Sequence, residues 1–169
     1  MTRTEPRAIP VRPLTEAAFA QFGEVLAAVP DGESPRPGER LLDLSGGLPR
    51  FYVMALHDRP ARLTAVTRHR RVTQVLAAVG GTEWILAVAP PGDPDDPDAR
   101  PDIDDIAMFR VPGDVAVLLL RGTWHAGPFF GPSEMAFFNL ELDDTNQADH
   151  QTHAFGVELI AAPGGDVDE

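Results

Sequence analysis

The chain has 169 residues and a formal net charge of −12, set by 14 arginines against 26 acidic side chains, with no lysine and no cysteine. These absences exclude lysine Schiff bases, a P-loop phosphate clamp, thiol nucleophiles, disulfide frameworks and cysteine-held metal sites. The acidity argues against nucleic acid and anionic membrane as partners, because both would present repelling phosphates.

The three serines, none in a G-x-S-x-G setting, leave little for nucleophilic catalysis, so histidine, carboxylate and arginine must carry the chemistry. The length suits one domain with a real core. The opening stretch MTRTEPRAIPVRPL has no apolar h-region, and no apolar run approaches bilayer length, so a cytoplasmic, non-membrane protein is expected.

In chain order, residues 1–10 read as a flexible arm, 11–162 as a single domain and 163–169 as a disordered tail. Thr15 to Phe22 (TEAAFAQF) is the helix candidate, with Thr15 as cap, Gly23 as stop, and Phe19 and Phe22 at i, i+3 on one face. A Pro/Gly-rich loop spans 30–40. Strands are then expected at 41–44, 51–56, 63–67, 72–79, 84–89, 106–111, 115–120, 135–142 and 155–160. Gly80-Gly81 and Pro112-Gly113-Asp114 read as hairpin turns between neighbouring strands. This spacing predicts an all-β sandwich or barrel. Residues 90–105 (PPGDPDDPDARPDIDD) hold seven aspartates. Their prolines and spacing do not make a calcium loop, so a solvated, mobile excursion is expected.

The segment Thr67-Arg68-His69-Arg70-Arg71-Val72-Thr73-Gln74 is the most informative. Thr67 and His69 would share a strand face. Some forty residues on, Gly113 precedes an apolar strand and then Arg121-Gly122-Thr123-Trp124-His125. His69, Gln74, Gly81, Gly113, Gly122 and His125 fill slots of the two cupin motifs, with Thr67 in place of a histidine and Gln74 in place of a glutamate. Two imidazoles and an amide make a poor ligand set for a divalent ion.

In the strand AFFNLELD, Phe137, Asn139, Glu141 and Asp143 alternate with Phe138, Leu140 and Leu142. Asn139 and Glu141 therefore point into the barrel or face solvent. His150 and His153 lie in a turn-rich loop whose spacing suits either surface capping or a site, and His57 has a turn position with no assigned role. Arg50, Arg68, Arg70, Arg71 and Arg121 flank these strands. A guanidinium can grip a carboxylate with two parallel hydrogen bonds, and Arg121 is the first choice for that task. Trp124 reads as a pocket wall or as core.

Three segments, LTEAAFAQFGEVL (14–26), RHRRVTQVLAAVGG (68–81) and RGTWHAGPFF (121–130), resemble the ureidoglycolate lyase family, formerly called ureidoglycolate hydrolases. The resemblance covers roughly residues 10–160. It implies a cupin-like jelly-roll β-barrel with a short N-terminal helix, and a homodimeric assembly. It also implies cleavage of ureidoglycolate, a small carboxylate, into glyoxylate and urea late in purine breakdown through allantoin. Gln74 fits the family pattern, and Glu141 falls where the family carries an acidic residue. For such a carbinolamide the implied roles are His125 or Glu141 as base, His69 as acid partner, and Gln74, Arg121, Trp124 and Asn139 in substrate binding. The alternative is a weakly bound divalent metal on His69, Gln74, His125 and Glu141.

Overall fold

The computed structural model describes residues 4–164. Its strands are β1 (Arg7–Pro13), β2 (Gly23–Leu26), β3 (Pro49–His57), β4 (Arg62–Arg68), β5 (Gln74–Ala78) and β6 (Gly81–Ala89) in the first half. They continue with β7 (Ala107–Gly113), β8 (Ala116–Leu119), β9 (Trp124–Phe129), β10 (Glu134–Leu142) and β11 (Gln151–Ala162). Helix α1 is Glu16–Phe19 and helix α2 is Thr145–Ala148. Six strands close into a barrel in the order β1-β11-β4-β9-β6-β7, and a five-stranded sheet runs β2-β8-β5-β10-β3. This is the all-β, cupin-like barrel with a short N-terminal helix that the sequence predicts. Among the described residues no helix is long and apolar enough to cross a membrane.

Period-two alternation explains how the layers pack. On β6, Trp84, Leu86 and Val88 enter one core while Ala87 and Ala89 enter another; on β7, Phe109 and Val111 divide from Met108 in the same way. The first core draws on both sheets and on α1, so it fills the space between them. Phe19 and Phe22 each pack on Phe109, with ring centroids 5.4 and 5.8 Å away. The second core, with Ile9, Val11, Leu63, Val66, Met108 and Trp124, comes from the barrel strands alone and fills the barrel.

Several expectations are corrected. Residues 7–10 are not a loose arm: they are the first half of β1, pairing in parallel with β11 before the strand passes to β7, with Ile9 and Val11 buried. The start of the expected arm (1–3) and most of the expected tail (165–169) lie outside the described residues. The helix stops at Phe19, although Thr15 caps it as expected through the Ala18 amide. The stretch 41–44 is not a strand, because Asp43 is tied to Thr73 by both backbone and hydroxyl and to Ser45 by its own carboxylate.

Neither glycine turn makes a hairpin. Each carries the chain from one sheet to the other, since β5 and β8 belong to the five-stranded sheet and β6 and β7 to the barrel. Gly81, at φ 82°, pairs with Gly113, where an added Cβ would run into the Gly81 backbone.

The acidic segment is also less free than its composition suggests. Arg68, fully buried, lies over the Trp124 ring at 4.7 Å and donates to the carbonyls of Pro91, Asp93 and Asp96, while Arg70 donates to those of Pro94 and Asp95. Backbone carbonyls supply most of these anchors, with carboxylate pairs at Asp95 to Arg121 and Asp104 to Arg7.

Candidate active site

One cavity of about 460 Å³ lies between the sheets, walled by β3, β5 and β10 on one side and by β4 and β9 on the other. It brings together His69, Gln74, His125, Asn139 and Glu141, with Thr67, His150 and Asn146 also on its lining. Strand alternation places the pairs. Asn139 and Glu141 point inward from β10 together with Phe137, all three buried, while Phe138 on the opposite face is exposed. Of the two orientations open to this strand, the inward one is found.

The two imidazoles occupy the barrel wall. Thr67 on β4 stands in register with His125 on β9, and His69 follows just past the end of β4. The His69 and His125 ring centroids are 5.1 Å apart, and His150 sits 5.9 Å from His69. His69 Nδ1 lies 2.7 Å from the Asp149 carbonyl and His125 Nδ1 lies 3.1 Å from the Thr123 carbonyl. A carbonyl only accepts, so each Nδ1 carries the hydrogen and each Nε2 is left as the acceptor of a neutral ring. Burial lowers the His69 pKa from its ordinary value, opposed by the Asp149 carbonyl and by the Asp149 and Glu141 carboxylates. Burial, with His69 beside it, pushes His125 down to about 3.

Asp149 fixes the turn that presents His69. Its buried carboxylate accepts from the Arg70 amide at 2.7 Å and the Arg71 amide at 2.8 Å, while its carbonyl holds the imidazole.

The sheet wall carries a closed ring of hydrogen bonds. Tyr52 donates to Glu141 Oε1 at 3.2 Å, Gln74 Nε2 donates to Glu141 Oε2 at 3.2 Å and to Asn139 Oδ1 at 3.1 Å, and Asn139 Nδ2 donates to Tyr52 Oη at 3.1 Å. Glu141 can only accept, which fixes the Gln74 amide with its nitrogen toward the carboxylate. Gln74 Oε1 is left buried with no partner among the described residues. Burial and the Glu141 charge raise the Tyr52 pKa, so the phenol stays protonated and remains a donor.

Two expected site residues lie elsewhere. Trp124 is buried in the barrel core beneath Arg68, because consecutive residues of β9 face opposite ways and His125 takes the cavity side. Arg121 precedes that strand and turns toward the acidic loop, donating to the Arg70 carbonyl at 2.9 Å and pairing with Asp95 at 3.2 Å. The arginine that lines the cavity is Arg59. His153 packs against Trp124 and Phe155, and His57 is exposed beside Glu134. Tyr52 was legible in principle: with Met54 and Leu56 it forms the inward alternation of β3.

The expected metal set does not assemble: among the described residues no group of three or more His, Asp or Glu converges as metal ligands do.

Residues 46–161 match the family model described as ureidoglycolate lyase. A ureidoglycolate lyase of Azotobacter vinelandii is 28% identical over 131 residues, covering 70% of this chain and 75% of that protein. One from Rhizobium leguminosarum bv. trifolii is 28% identical over 139 residues, covering 71% and 75%. A Bacillus subtilis oxalate decarboxylase structure at pH 4.6 shows 11% identity and a TM-score of 0.38, over 77% of this chain and 35% of that one. A second oxalate decarboxylase structure, concerned with substrate binding mode and reaction specificity, has a TM-score of 0.40 at 10% identity, over 64% and 24%. Those scores are too low to inform the site, but the family match spans more than half of the sequence: the chain belongs to the ureidoglycolate lyase family.

Proposed function

We propose that this protein is a carbon–nitrogen lyase that splits ureidoglycolate into glyoxylate and urea. The observation that carries the reading is the pairing, across one small cavity, of two neutral imidazoles with an acceptor-rich ring built on Glu141. Ureidoglycolate carries a hydroxyl and a carboxylate at one end and urea N–H groups at the other, and each wall suits one end.

Cleavage needs the hydroxyl proton removed and the leaving urea nitrogen protonated. His69 is the better proton carrier of the two histidines, because the Asp149 carbonyl and the nearby carboxylates favour its charged form while His125 is pushed down to about 3. His69 Nε2 takes the hydroxyl proton as the carbon–nitrogen bond breaks and the glyoxylate carbonyl forms. The same proton then passes to the urea nitrogen, so no net proton is needed. His125 stays neutral beside His69 and takes no proton. The base role therefore moves from His125 or Glu141 to His69, and the carboxylate anchor moves from Arg121 to Arg59. Glu141, Gln74 and Asn139 hold the urea end.

The reaction belongs by this reading to cytoplasmic purine breakdown through allantoin. The assembly we infer is a homodimer. Support comes from the outer face of the edge strand β3 and of β10, where Phe51 is 68% exposed, Val53 is 55% exposed, and Phe51 stacks on Phe138 at 5.8 Å. Sedimentation at twice the chain mass would agree, and a monomer would remove this part of the reading. The activity itself is tested by incubating purified protein with ureidoglycolate, with and without chelator. Glyoxylate and urea in equal amounts are expected; their absence would reject the substrate.

A further inference from the structure

The hydrogen-bond inventory of the Glu141 ring is one-sided. The Tyr52 hydroxyl is directed at Glu141, both Gln74 amide hydrogens at Glu141 and Asn139, and the Asn139 amide at Tyr52 with a long contact of 3.9 Å to Met54 Sδ. Every polar hydrogen of the ring is thus occupied by the ring or its rim. What remains open toward the cavity is acceptor capacity, the further lone pairs of Glu141 and Asn139; Gln74 Oε1 is buried out of reach of solvent.

Arg50 does not pair with the Glu141 carboxylate: it stands opposite Glu141 in register, yet its guanidinium carbon lies over the Tyr52 ring, 3.6 Å from the centroid, and Glu141 takes part in no ion pair among the described residues. A ligand that donates to Glu141 and Asn139 meets open acceptors, and one that only accepts gains nothing there.

We propose that the Tyr52–Glu141–Gln74–Asn139 ring is a receptor for planar N–H-donating groups in general, taking a guanidinium at least as tightly as a urea, so that guanidino acids of substrate size are competitive ligands of this cavity. The proposal rests on the lyase reading for the location of the urea end. Its chemistry needs only the ring. A guanidinium presents the same flat fork of N–H donors as urea and adds a positive charge facing the Glu141 carboxylate.

The test uses three non-cleavable acids, each lacking the carbinol hydroxyl: N-carbamoylglycine, guanidinoacetate, and N-acetylglycine, in which a methyl replaces the terminal amino group. Binding to the intact protein is measured by calorimetry, and competition is measured against ureidoglycolate turnover. Guanidinoacetate should bind at least as tightly as N-carbamoylglycine, and N-acetylglycine at least about tenfold more weakly than either, as expected when a buried acceptor loses its donor. In Glu141→Gln, checked for folding by circular dichroism, guanidinoacetate should lose its affinity more than N-carbamoylglycine does. Equal binding of N-acetylglycine, or failure of guanidinoacetate to bind, overturns the proposal even if ureidoglycolate is cleaved. The expected order without ureidoglycolate turnover would support the receptor and reject the lyase reading. The wild-type series decides the matter should the variant not fold.

Discussion

The two walls of the cavity are held by different means. On the barrel wall, His69 and His125 are each fixed by a backbone carbonyl, at Asp149 and Thr123, and their outward nitrogens are free. On the sheet wall, Tyr52, Gln74, Asn139 and Glu141 fix one another through side chains. A backbone carbonyl sets a tautomer without adding a charge, which suits a group that must gain and release a proton. A closed side-chain ring with its donors occupied suits recognition. The barrel wall is therefore assigned the chemistry and the sheet wall the grip on the urea end.

The largest effect should come from the barrel wall. His69→Ala should lower kcat by about 10²–10⁴-fold, the range for losing a general acid–base group, with KM little changed. Steady-state kinetics with ureidoglycolate measures this, and a rise confined to KM would erase the distinction between the walls.

Gln74→Leu should act the other way. It removes one donor to Glu141, and should raise KM by about 10–100-fold while kcat falls far less. Arg59→Ala should raise KM by about tenfold through loss of a carboxylate contact. Arg121→Ala should stay within about twofold, because that side chain faces the acidic loop, where an exposed pair contributes little.

The smallest and most distributed effect is on pH. Both histidine pKa values lie below the ordinary 6.5 in the folded chain. The unfolded chain therefore takes up protons first as pH falls. The stability tied to these neutral rings is complete above about 6.5 and declines as the pH drops toward the folded values. Melting temperatures should fall between pH 7.5 and pH 5, and His125→Asn should flatten that fall. The acid limb of kcat/KM should have its midpoint below 6.5, where His69 gains its charge. An acid limb centred above 6.5 would mean that His69 is charged in the working protein.

Much of this was readable from residue order, for physical reasons that differ by element. β3 to β8 show apolar alternation or continuous apolar runs, and β10 shows the alternation that sends Asn139 and Glu141 inward. β1 was hidden by Pro10 and Pro13, which a parallel strand at this position tolerates while Ile9 and Val11 face the core. β9 was hidden by Gly127 and Pro128 and by the polar His125. The glycine turns were read for what they are locally, yet a sheet-to-sheet crossing and a hairpin use the same backbone conformations, and only tertiary pairing separates them. His69, Gln74 and His125 were found by motif spacing. Arg121 and Trp124 are close to His125 in sequence but not in the cavity: Trp124 takes the core alternative because successive residues of a strand point apart, and Arg121 turns to the acidic loop. Tyr52 and Arg59 carry no motif; they reach the cavity through the placement of β3 and the turn that follows it.

The division between the walls is tested most directly by measuring the affinity of N-carbamoylglycine for the His69→Ala protein by calorimetry. This ligand has the urea end and the carboxylate but no hydroxyl to deprotonate. Affinity within about threefold of wild type is predicted, since uniform binding contacts survive loss of a purely chemical group. A loss of more than about tenfold would show that His69 holds the ligand rather than moving its proton, and would contradict the account.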